Sequence, residues 1–200
     1  MPKLKTKSSP EPVRSTRDRI LRAAKQLFQQ RGYYAVGTAE ILEQAQAPKG
    51  SMYHHFPEGK EQIAIEAVEK HRAELIARLT SLDGEGFTAA ETLRLLAKEM
   101  ASWLKKSEWL EGTMLVSTAV GSVPHLPKLH AAIKASFNEW REHISQLLMK
   151  EGWSKAQAFS LAQTIIAATD GAMIIARVDQ DERIVIKVAE DLVRLIEQRK

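Results

Sequence analysis

The sequence predicts an all-α protein of about nine helices, a small amino-terminal three-helix domain followed by a larger helical body. Three observations predict this. Strong helix formers are plentiful while the 200 residues hold only 7 prolines and 10 glycines. Apolar residues recur at the i, i+3, i+4, i+7 spacing of a helix face. No strand-like alternation of useful length occurs, and no internal repeat is visible.

The first helix is expected over about 15–31, where Ile20, Leu21, Ala24, Leu27 and Phe28 form one apolar face and Gly32 closes the end. Thr38 can cap a second helix over about 38–45, with Ile41 and Leu42 inward. Pro48 suits the first position of a third, short helix over about 48–55, because its missing N–H would lack an intrahelical partner anyway. Phe56-Pro57-Glu58-Gly59 breaks it. A long fourth helix follows over about 59–82, with Ile65, Val68, Leu75 and Leu79 along one side, and Asp83-Gly84-Glu85-Gly86 ends it. The remaining helices are expected at about 88–105, 108–122, 126–151, 154–178 and 182–198. Leu93, Leu96, Met100, Trp103 and Leu104 make the stripe of the fifth. Leu129, Ile133, Phe137, Trp140, Ile144 and Leu148 make that of the seventh. Residues 1–14, with three prolines and three lysines, have little to bury and read as a flexible basic tail. Such a tail is either an inert end or an arm that adds phosphate contacts.

Charge is distributed unevenly. Residues 1–60 carry eleven Lys/Arg against five Asp/Glu, a net of +6; residues 61–200 carry eighteen against twenty, a net of −2, and the two sum to the chain's +4. A basic third on a near-neutral body is either a solvated face or the footprint of a polyanion partner. Within it, two short helices behind a longer one resemble a helix-turn-helix reader. The second helix of such a pair must enter a major groove about 12 Å wide. The face available here offers Lys49, Gly50, Ser51, Tyr53 and His54, and no acid lies between Glu43 and Glu58. Lys49 can donate to guanine or phosphate, Gly50 lets the backbone approach closely, and Tyr53 carries a hydroxyl at the end of a rigid ring. Lys60 stands at the start of the fourth helix, where the dipole also favours anions.

The segment TAEILEQAQAPKGSMYHHFPEGKEQIAIEAV (38–68) resembles the DNA-binding signature of the TetR family of repressors, and RDRILRAAKQLFQQRGYYAVG (17–37) resembles that family's first helix and connector. The added glycine in HFPEGK, the downstream DGAMIIARV and, more loosely, EGTMLVSTAV resemble the LmrA/YxaF branch. That branch often carries a cysteine near position 113, where this chain has Thr113. The resemblance implies DNA contact by Thr38 at the cap of helix two, by Lys49, Gly50 and Ser51 on the recognition helix, and by Tyr53, His54 and Lys60 against phosphate. It places Met52 and Phe56 in the reader's small core. One of His54 and His55 is a packing residue and the other a phosphate donor.

The implied organisation is a helix-turn-helix DNA-binding domain over 15–60 and a ligand-binding and dimerisation domain over 61–200. The body holds all four tryptophans and four of the six methionines. Such stripes are ordinarily core, but together they also describe a cavity for an apolar, aromatic effector. The candidates are Trp103, Trp109, Met114, Phe137, Trp140 and Met173. Asp170 stands in an apolar stretch and needs a partner. Either it pairs with Arg177, seven residues on, or it is a pocket acid for a polar or cationic ligand group. The helices at about 154–178 and 182–198 are expected to pack against their twofold mates as a four-helix dimer interface. The partners implied are a double-stranded, palindromic DNA operator, a small hydrophobic effector and a second copy of the chain.

Other classes are disfavoured. Cysteine is absent, and none of the six histidines forms a metal motif, so no metal or cofactor is expected. No nucleophile elbow, P-loop or dinucleotide fingerprint occurs, so the chain is not expected to be an enzyme. The acids, as in Glu66–Lys70 and Glu74–Arg78, have spacings that suit pairing along solvated helix faces. No secretory signal is visible, and charges interrupt the apolar run from Leu161 to Val178, so a cytoplasmic protein without membrane contact is expected. The rivals to a ligand-released repressor are a regulator of the same fold without an inducer and a small all-α enzyme.

Overall fold

The computed structural model describes residues 15–123 and 125–198, so the expected basic tail at 1–14 lies outside the described residues. Among the described residues there are nine helices and no strand. They are α1 (Thr16–Arg31), α2 (Thr38–Gln44), α3 (Ser51–His55), α4 (Lys60–Gly84), α5 (Ala89–Lys106), α6 (Met114–Ala119), α7 (Pro127–Lys150), α8 (Lys155–Asp179) and α9 (Arg183–Glu197).

Local chemistry accounts for most of the boundaries. The Ser15 hydroxyl accepts from the Asp18 N–H at 3.1 Å and starts α1. Gly32 ends it at φ 75°, donating to the Phe28 carbonyl at 2.8 Å. A Cβ on Gly32 would also stand 2.6 Å from the Ser117 carbonyl, so the close approach of α1 and α6 requires glycine there. Thr88 and Glu91 form a reciprocal capping box at the start of α5. Pro127 opens α7, and Ser154 caps α8.

Four expectations are corrected. Thr38 is the first residue of α2 and not its cap; Gly37 holds the cap position, in extended backbone, with no side-chain cap bond. The third helix begins at Ser51, because Pro48 accepts from the Ser51 N–H in a turn that precedes it. α4 runs through Asp83 and Gly84 before Glu85 and Gly86 end it. The sixth helix is only Met114–Ala119. Glu108 and Trp109 adopt φ of 52° and 64°, which no helix accommodates, and residues 107–113 form a connector instead.

The core has two centres. Ile20, Phe28, Ile41, Met52, Phe56, Ile63 and Val68 unite α1–α4, with Met114 and Leu129 joining from α6 and α7. Leu104, Leu148, Ile165, Met173, Val193 and Ile196 unite α5 and α7–α9. α4 packs along α7, α5 along α9, and α8 between α7 and α9. α8 is long and apolar enough to cross a membrane, with a mean hydropathy of 1.4 over its most apolar window, and half of that window is buried inside the fold. Packing against α7 and α9 therefore accounts for much of its apolarity.

Candidate DNA interface and effector cavity

Two sites emerge, one at α3 and one between α1 and the body. α3 is held from behind: Met52 and Phe56 are buried in the first core, and the Arg17 guanidinium lies 5.0 Å over the Phe56 ring while bonding Glu66. The opposite face is open. Tyr53 is 68% exposed, and Lys49, Gly50 and His54 are exposed beside it. A ring half-buried on α1 is thereby excluded for Tyr53. His55 is half-buried and edge-on to His54, their ring centroids 4.9 Å apart. Ser51 is half-exposed, its hydroxyl donating to the Pro48 carbonyl at 2.6 Å. A Cβ added to Gly50 would meet nothing within 4 Å, so no neighbour in the fold excludes a side chain there. Thr38 and Lys60 are half-exposed at the first positions of α2 and α4. The Lys60 ammonium lies 4.1 Å over the Tyr33 ring, and burial holds its pKa below the ordinary lysine value.

The second site is a cavity of about 390 Å³. Its walls come from α1 (Lys25, Gln29), α4 (His71, Glu74, Leu75, Arg78), α5 (Leu96, Glu99, Met100, Trp103), the stretch Thr113–Leu115, Trp140 of α7 and Asp170 of α8. An apolar crevice of about 40 Å³ between α5 and α7 shares Leu96, Met100 and Trp140 with it. Of the expected pocket residues, Trp103, Met114, Trp140 and Asp170 line the cavity. Trp109, Phe137 and Met173 do not. Trp109 is carried away in the connector, Phe137 stacks on Trp140 with centroids 6.4 Å apart, and Met173 is buried in the second core.

Of the cavity's titratable residues, Asp170 was a candidate from the sequence, whereas Lys25, His71, Glu74, Arg78 and Glu99 went unread as wall residues. Glu74 bonds Lys25 and Arg78 bonds Glu99, so the pairing runs between helices, and the expected Glu74–Arg78 face pair is corrected. Glu66 likewise bonds Arg17 and not Lys70. The residues 71, 74, 75 and 78 share one side of α4, and that i, i+3, i+4, i+7 set is the signal that could have marked the wall. Burial and the nearby Lys25 push the His71 pKa down to about 4, so the ring is neutral at pH 7. Asp170 is 8% exposed, and burial pushes its carboxyl up to about 6 against a bond from Thr113.

The expected Asp170–Arg177 pair is corrected. Arg177 turns towards backbone, donating to the carbonyls of Trp109 at 3.0 Å, Leu110 at 2.8 Å and Gln30 at 3.5 Å. Beside it the Gln29 carbonyl accepts from the Gly112 N–H at 2.9 Å and the Ser117 hydroxyl at 3.2 Å. This junction ties the end of α1 to the connector and to α8. Among the described residues no cluster of three or more His, Asp or Glu could hold a metal ion.

A short exposed helix braced by the core that unites α1–α4 is the arrangement of a helix-turn-helix reader. Comparison with known proteins gives the family. Residues 20–67 match the family model of bacterial regulatory proteins of the tetR family, and residues 89–191 match that of the LmrA/YxaF-like transcriptional regulator C-terminal domain. The HTH-type transcriptional regulator YxaF of Bacillus subtilis is 32% identical over 190 residues, covering 92% of this chain and 96% of that protein. LmrA of the same organism, also an HTH-type transcriptional regulator, is 30% identical over 161 residues, covering 80% and 86%. A TetR regulator from Legionella pneumophila shares the fold, with a TM-score of 0.82 over 94% of this chain and 99% of that one at 23% identity. The chain belongs to the TetR family, with an LmrA/YxaF-like carboxy-terminal domain. It is a DNA-binding transcriptional regulator, and the matched families are regulators and not enzymes.

Proposed function

We propose that the chain is a homodimeric repressor that leaves a palindromic operator when a small hydrophobic ligand, aromatic in part, enters the cavity. Residues 15–60 form the reader and 61–200 the ligand-binding and dimerisation unit. The observation that carries the ligand reading is the cavity of about 390 Å³, whose wall includes Lys25 and Gln29 of the reader's own first helix. A ligand that fits the body better with α1 and α4 displaced favours a spacing of the two recognition helices that no longer matches the DNA.

DNA contact falls to Lys49, Gly50, Ser51, Tyr53 and His54 on and before α3, with Thr38 and Lys60 towards phosphate. The exposure of Lys49, Gly50, Tyr53 and His54 on a stretch without acids supports this. Of the two histidines, the exposed His54 is the phosphate donor and His55 the packing residue. The dimer is supported by an uncovered apolar stripe on α8: Phe159 and Ala167 are exposed, as are Ile174, Ile175 and Val178, and exposed Leu195 of α9 adds to it. Pairing this face with its twofold mate makes a four-helix interface. A repressor that works on DNA is cytoplasmic.

The test is a gel shift on DNA from the gene's own upstream region, at two salt concentrations and with excess nonspecific competitor. A competitor-resistant shift, released by an apolar ligand that also raises Tm, is the expected result. A shift lost to competitor or modest salt would leave only general polyanion binding.

A further inference from the structure

We infer that the cavity takes a lipophilic amine, its protonated nitrogen held by Asp170 and its aromatic body lying among Trp103, Trp140 and Met100. This rests on the ligand-release reading and names the chemistry of that same cavity.

The argument starts from an unsatisfied atom. Asp170 Oδ1 is fully buried and has no hydrogen-bond partner, while the Thr113 hydroxyl serves the same carboxyl. A buried carboxylate with one neutral donor is costly, and folds ordinarily supply a cation. The cation at hand on the same helix, Arg177, is committed to three backbone carbonyls. Asp170 nevertheless lines the cavity. A group that enters with an N–H directed at Oδ1 completes the carboxylate's bonds.

Charge selects an ammonium over a neutral donor. The other ionised groups on the wall are already matched, Lys25 with Glu74 and Arg78 with Glu99. His71 is neutral at pH 7. The wall therefore carries one negative charge in excess, at Asp170. Trp103 has its indole N–H donated to Glu111 at 2.7 Å, which fixes that ring. Indole faces attract a cation as well as an apolar body. The crevice beyond Trp140 is lined by Leu79, Leu93, Ile144 and Ile165 and suits an apolar end. The ligand is thus an amphiphile with one cationic end.

The experiment uses the full-length protein and three probes with one body: 2-(1-naphthyl)ethylamine, 2-(1-naphthyl)ethanol and the methyl ether of that alcohol. Calorimetry and Tm shifts are read at pH 7.5 on the native protein and on Asp170→Asn. The expected result is the amine binding at least tenfold tighter than the ether, a preference lost in Asp170→Asn with ether binding unchanged. Comparison on the native protein alone keeps the test valid if the variant does not fold. Equal affinities for the three probes would overturn the inference and leave the cavity reading standing. So would tightest binding by the alcohol, which would make the site a neutral-donor site. Failure of all three probes to bind or to shift Tm would overturn the inference. The cavity reading itself falls only if purely apolar probes such as naphthalene also fail to bind while operator binding is intact.

Discussion

Tyr53 presents its ring to solvent from a five-residue helix whose other face is locked by Met52 and Phe56. Loss of its hydroxyl and ring therefore removes an outward contact and little else. Tyr53→Ala is expected to weaken operator binding roughly tenfold or more, as for a lost bond to a charged phosphate, with dimer and ligand affinity unchanged in calorimetry. Gly50 gives a sharper test. Since a Cβ there meets nothing, Gly50→Ala should leave Tm unchanged and still lower DNA affinity in gel shifts; full DNA affinity would show that the backbone does not closely approach the groove. Asp170 has a stability signature. The folded chain holds its proton more tightly than the unfolded chain does, so its cost is fully present above about pH 6 and is relieved as pH falls towards 4. Asp170→Asn is expected to stabilise the protein at pH 7.5 by up to about 3 kcal/mol and by little at pH 4, read as Tm at the two pH values. The exposed reader residues were legible in the sequence because a helix-turn-helix has its own spacing. Lys25 and Arg78 were not, because their partners lie on other helices, and intrahelical spacing offered Glu74 to Arg78 a nearer choice; nor was His71, whose burial arises only when the helices pack.

At the scale of elements, α1–α5 and α7–α9 follow from periodicity, capping and breakers, and the expected bounds differ from the observed ones by three residues or fewer. α6 is the exception. Apolar residues of 108–122 allowed a helix throughout, but tertiary bonds override the local pattern: Arg177 and Gln29 capture the connector's backbone before α6 begins. That junction is crowded. A Cβ at Gly112 would stand 2.6 Å from Arg177 Nη1 and 2.9 Å from Ser117 Oγ. Gly112→Ala is expected to cost about 1–3 kcal/mol in thermal melts and to weaken the effect of ligand on DNA binding more than ligand affinity itself. For α8, Val178→Asp puts a charge into the uncovered stripe, where Val178 is 78% exposed. Sedimentation should then show a monomer at concentrations where the native protein is a dimer, with operator affinity falling in step.

For the whole molecule, the proposed function requires one free energy to link the two sites. If ligand lowers operator affinity by some factor, saturating operator must lower ligand affinity by the same factor, and calorimetry with and without operator should return equal values. The route between the sites is short, because α1 belongs to both: Leu27 and Phe28 lie in the reader's core while Lys25 and Gln29 form part of the cavity wall. Gln29 in addition offers its carbonyl to Gly112 and Ser117. A substitution at 25 or 29 that refits the cavity to a new compound also resets how the first helix sits under the recognition helix. Under the proposed function, inherited changes at these two positions would alter what the protein senses only together with its grip on DNA. Variation towards new compounds would be freer at Leu96 and Met100, which belong to α5 and not to the reader.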